Sequence, residues 1–108
     1  MAYCRALLPV DPTAENLNQM LTDLIDRLGM QVERRSQHGS CLIATDPPRC
    51  GLHANEHVMV LCDWSNLRNT GEVAIETRSG ESMAHRDTRA QNLLQQLCRG
   101  LSDGLMGG

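Results

Sequence analysis

The chain has 108 residues, with ten cationic side chains against 13 acidic ones and a formal net charge of -3. Its composition, 41% hydrophobic and 21% charged, is that of one ordinary globular domain and not of a disordered chain. No apolar run approaches the roughly 18 residues of a membrane span, none resembles a secretory signal, and dispersed Arg on an acidic chain is a poor electrostatic match to nucleic acid.

Residues 3–10 read as a first strand, which Pro9 places at an edge or ends. Asp11 is an N-cap and Pro12 a first helical residue, with Glu15 in the first turn. Leu17, Met20, Leu21, Leu24, Ile25 and Leu28 then repeat at helical spacing, and Gly29 follows as the stop. Residues 30–35 and 41–45 form a hairpin around the turn 37–40. Residues 46–56 carry paired prolines and a glycine, so they form a loop. A strand over 57–64 sets Val58, Val60, Cys62 and Trp64 on one face and Met59 and Leu61 on the other, as if covered on both sides. Residues 66–71 form a turn, and 72–78 alternate as a strand. Asp87 is the expected N-cap of the last helix, whose stripe is Ala90, Leu93, Leu94, Leu97, Cys98, Leu101 and Leu105. Gly104 is its expected stop.

The order β-α-β-β-β-β-α predicts an α+β fold, with an antiparallel sheet carrying both helices on one face. In element order it resembles the TATA-binding-protein-like and helix-grip class, which fixes no activity. One domain spans residues 1–105, followed by a frayed tail over 106–108. The segment GEVAIETRSGESMAHRDTRAQNLLQQL, residues 71–97, resembles the strand–turn–helix ending of small uncharacterised cyanobacterial α+β proteins. That resemblance brings no functional residue with it.

Three groups of residues carry chemistry. Cys50, His53 and His57 offer a thiolate and two imidazoles within eight residues, a donor set suited to zinc, although no second Cys-x2-Cys-like pair is present. Cys50 beside Arg49 also has the surroundings of an activated thiol. Arg78, Arg86 and Arg89 flank a turn that leads into a helix N-terminus, where an anion can be received. The bland reading of both groups is a polar loop and a capped, solvated charge cluster. Met59, Leu61 and Trp64 are candidate interface residues, because apolar and Trp side chains on a strand mark a core or a contact surface. The first strand, if exposed, can pair with a copy of itself.

Five cysteines, an odd number with no leader sequence, suit reduced thiols in the cytoplasm. Catalytic motifs, phosphate loops and aromatic ligand boxes do not occur. The sequence therefore favours a non-catalytic cytoplasmic module that binds a protein partner or forms a homodimer through a sheet edge or an open sheet face. It suggests no nucleic-acid or membrane partner. The alternative is a small-molecule or metal-binding protein, an enzyme included, using loop 49–57 and the turn 81–89.

Overall fold

In the computed structural model the described residues are 1–10, 17–36, 40–47, 51–82 and 87–106, with side chains described to Asp103. Strand β1 (Ala2–Pro9) leads to helix α1 (Leu17–Arg27). Strands β2 (Gln31–Arg35), β3 (Cys41–Thr45), β4 (Met59–Asp63) and β5 (Glu72–Ser79) follow. A four-residue helical turn, α2 (Leu67–Thr70), joins β4 to β5, and α3 (Arg89–Met106) closes the fold. The expected α+β architecture is the observed one.

The five strands lie in the order β1-β5-β4-β3-β2, every neighbouring pair antiparallel. The connection through α1 thus carries the chain from one edge of the sheet to the other. The remaining strands then return as a meander until β5 meets β1.

Pleating decides which side of the sheet is covered. Leu42 and Ala44 of β3, Val60 and Cys62 of β4, and Val73, Ile75 and Thr77 of β5 are fully or almost fully buried. They share one face with Cys4, Ala6 and Leu8 of β1. Leu17, Leu21, Leu24 and Ile25 of α1 and Leu93, Leu94, Leu97 and Leu101 of α3 join them in one cluster. The opposite face has no helix among the described residues.

Local signals set most of the boundaries. Gly29 takes a left-handed φ of 75° and Met30 N–H reaches back to Ile25 O, closing α1. Gly71 does the same for α2 with φ 68°. Four expectations need correction. Thr88, not Asp87, caps α3: its Oγ1 accepts the Gln91 N–H at 3.2 Å, three residues on, while Asp87 is exposed. Gly104 does not stop α3, which continues to Met106. The turn 66–71 contains a helical turn, and the loop 46–56 contains a 3-10 turn at Ala54–Glu56. The Asp11 and Pro12 expectations lie outside the described residues.

Candidate functional site

A buried carboxylate ties the two ends of the β3–β4 connection to the start of α3. Asp46 Oδ2 accepts the Val58 N–H at 2.9 Å, and its two oxygens take Arg89 Nη2 at 2.6 Å and Nε at 3.2 Å. The Asp46 side chain is 1% exposed and that of Arg89 31%. Beside it, the Glu81 carboxylate accepts the N–H groups of Arg89 and Ala90 at 2.9 and 3.3 Å, and the Ser79 hydroxyl at 2.7 Å. Burial alone would push the Glu81 carboxyl up. Those hydrogen bonds and the Arg89 charge outweigh it and hold the carboxyl below its ordinary value.

These contacts bear on the anion-binding residues. The first backbone N–H groups of α3 already face a carboxylate of the chain itself, and Arg89 clasps Asp46. Arg78 is on the other face of the sheet, 5.1 Å from the Tyr3 ring centroid and 3.7 Å from Glu76. Arg86 lies outside the described residues.

Of the metal-ligand residues, Cys50 is also outside the described residues. His53 and His57 flank the short 3-10 turn and line different depressions. No three His, Cys, Asp or Glu side chains among the described residues converge as a metal-binding group. The four described cysteines are free thiols. Burial pushes the Cys62 thiol up to about 12, with Cys41 and Cys98 adding to the effect. Burial also raises Cys41, helped by Asp63, and Cys98. A nucleophilic thiol needs the opposite shift.

The interface residues divide between the two faces. Trp64 continues the inward phase of Val60 and Cys62 and packs half-buried against the core, while its backbone N–H donates to Ser40 O at 2.8 Å. Met59 and Leu61 point to the open face, where Met59 is 47% exposed and Leu61 half-buried. Among the described residues, strand β4 is therefore covered by helices on one side, where the sequence suggested two covered faces.

The register assembles the open face in rows. Tyr3, Arg78, Met59 and Thr45 form one, and Arg5, Glu76, Leu61 and Ile43 the next. Leu7, Ala74, Asp63 and Cys41 form a third. Its side chains on β1 and β5 are tied by Glu76, which accepts the Tyr3 hydroxyl at 2.9 Å and lies 3.4 Å from Arg5 Nε. The hydrogen bond to Glu76 holds the Tyr3 phenol above its ordinary value. Arg5, Leu7, Asp63, Asn66 and Glu72 line a shallow depression beside these rows.

The exposed large hydrophobic residues among those described are Met1, Tyr3, Leu7 and Met59. Three of these four fall within the first seven residues, so they concentrate along β1. Tyr3 and Leu7 are the residues that sequence reasoning passed over. Leu7 and Leu8 are adjacent and equally apolar, so a period of two does not tell which one faces the core. No protein-family model matches the chain, and none of the curated proteins matches it significantly.

Proposed function

We propose that this chain is a non-catalytic cytoplasmic association module that works through its open sheet face and the adjoining β1 edge. One observation carries the reading: Tyr3, Leu7 and Met59 all stand exposed on the face that no helix covers among the described residues, interleaved with Arg5, Glu76 and Arg78. Apolar side chains left exposed among charged ones on one face of a sheet suit a contact surface with a polar surround. Free thiols suit a reducing compartment. Glu81 already takes the Arg89 N–H and Asp46 the Arg89 guanidinium, two of the groups an anion would use at this turn.

The test is site-specific photo-crosslinking in the cell, combined with native mass spectrometry of the reduced protein. A photoreactive residue at position 59 or 7 is expected to give discrete protein adducts. The same residue at Gln95, exposed on the helical layer, is the control and gives fewer. Equal labelling from all three positions sinks the reading. So does a monomer that retains zinc or an organic mass lost on His53→Ala.

A further inference from the structure

We infer that the partner of the β1 edge is a second copy of this chain, paired antiparallel to it with Ala6 on the two-fold axis. The inference rests on the association reading above and makes it specific.

The sheet has two edges, and they differ. β2 is short, its pairing is interrupted between Val32 and Arg34, and it carries Glu33, Arg34 and Arg35 in succession. Arg35 is further held by Asn18 and Thr22 of α1, at 2.7 and 2.9 Å. Bulges and charge of this kind blunt an edge. β1 pairs with β5 over eight residues without a shift in register, and Arg5 is its only charged residue. No strand lies on its outer side among the described residues.

The orientation of its backbone groups follows from one bond. Val10 N–H donates to Gly71 O at 2.7 Å, one step beyond the Pro9↔Glu72 pair. Hydrogen-bonding direction alternates along an antiparallel strand. The even residues Cys4, Ala6 and Leu8 therefore direct N–H and C=O toward β5, and the odd residues Arg5 and Leu7 direct theirs outward. Pro9 agrees, because its missing N–H falls on the outward side.

Outward groups at odd positions restrict a two-fold pairing to a few registers. Faces must match, so each residue opposes one of the same parity. Centring on Arg5 sets two arginines directly opposite each other, which is unfavourable. Centring on Ala6 sets Arg5 against Leu7 of the other copy and forms four N–H···O bonds from those two residues and their symmetry mates. Tyr3 then lies opposite Pro9, and the two exposed Leu7 side chains become diagonal neighbours on the open face. On the other face, Cys4, Ala6 and Leu8 are half-buried members of the core boundary and gain cover. The product is a continuous ten-stranded sheet with all its long helices on one side.

The test uses the full reduced chain. Its mass over a concentration series is expected to show a reversible dimer. Amide exchange followed by NMR is expected to slow at Arg5 and Leu7 by at least tenfold, roughly one hydrogen bond's worth, between dilute and concentrated protein. Exchange at Cys4, Ala6 and Leu8 stays slow at both concentrations. Leu7→Pro removes an outward donor without touching the β5 ladder, and should raise the dimer Kd at least about tenfold. Leu7→Lys, which brings a second cation against Arg5, gives the same direction should the proline variant not fold. A dimer whose Arg5 and Leu7 amides exchange as fast as in dilute protein overturns the inference and leaves association through the open face standing. A monomer that crosslinks from positions 7 and 59 to a different protein does likewise. A monomer with no crosslinks overturns both.

Discussion

Glu81 lies seven residues ahead of Thr88 in the sequence, yet its carboxylate fills the first turn of α3. Removing it exposes two N–H groups, so Glu81→Ala should cost about 1–2 kcal/mol in chemical denaturation. The pH dependence follows from the lowered carboxyl. A group depressed below its ordinary value of 4.5 stabilises the fold fully above that pH, and the stabilisation is lost as pH falls through the lower folded value. Glu81→Gln should flatten that acid limb. Cys62 acts at the other end of the scale. Its thiol is raised from 9.0 to about 12, so its contribution is complete below pH 9 and is lost as pH rises through that window. Cys62→Val should show a shallower alkaline loss of stability, and wild-type Cys62 should resist alkylation at pH 8 until the chain unfolds. Little of this was legible in the sequence. Asp87 and Thr88 are both good caps, one residue apart, and only the geometry separates them. The partners of Glu81 and Asp46 are distant in sequence, and local pattern reasoning sees neither. Asp46→Ala should therefore cost about 3 kcal/mol, the lower end for breaking a buried ion pair, since Arg89 keeps some solvent contact.

At the scale of elements, the two long helices were legible because their apolar residues recur at helical spacing and glycine marks the end of α1. The meaning of Gly100 was not. In isolation it lowers helix propensity by about 1 kcal/mol relative to Ala. In the structure it is where α1 meets α3: a Cβ built on Gly100 would stand 2.5 Å from Leu24 Cδ2. The absent side chain lets the helices approach, a tertiary reason that no single helix displays. Gly100→Ala should therefore change stability little, because the propensity gain and the displacement of a flexible Leu24 tip oppose each other. Gly100→Leu has no such balance and should destabilise by about 1–3 kcal/mol. Thermal denaturation of both variants separates packing from propensity: a gain in both would show that the contact carries no weight. The strands were legible for a different reason. Turns rich in Gly, Asn and Pro punctuate them, and the alternation of Val73, Ile75 and Thr77 leaves one choice of inward face. Single helical turns such as α2 are too short to show periodicity, and the sequence presents them only as loops.

Among the described residues of the whole molecule, helices cover the sheet on one side, and that asymmetry is what the sequence conceals most. In Met59-Val60-Leu61-Cys62 both phases are apolar, a pattern also expected of a strand buried on both faces. Only the number and placement of helices decides between them, and here both long helices lie over the face of Val60 and Ile75. The open face thus keeps apolar residues, Met59 and Leu61 among them, that no helix covers among the described residues. This predicts a separation between stability and association. Met59→Glu should leave the stability of the isolated chain within about 0.5 kcal/mol, as for other surface changes, because residue 59 is 47% exposed. Ile75→Ala, at 0% exposure on the covered face, should cost about 2–5 kcal/mol. If the open face is the working surface, Met59→Glu also weakens the photo-crosslinks made from position 7, since a partner lying across that face meets both exposed side chains. Ile75→Ala weakens the fold and leaves those crosslinks in place as long as the chain remains folded. The opposite result, stability lost with Met59→Glu, would mean that the apolar open face supports the fold of the single chain and not a partner.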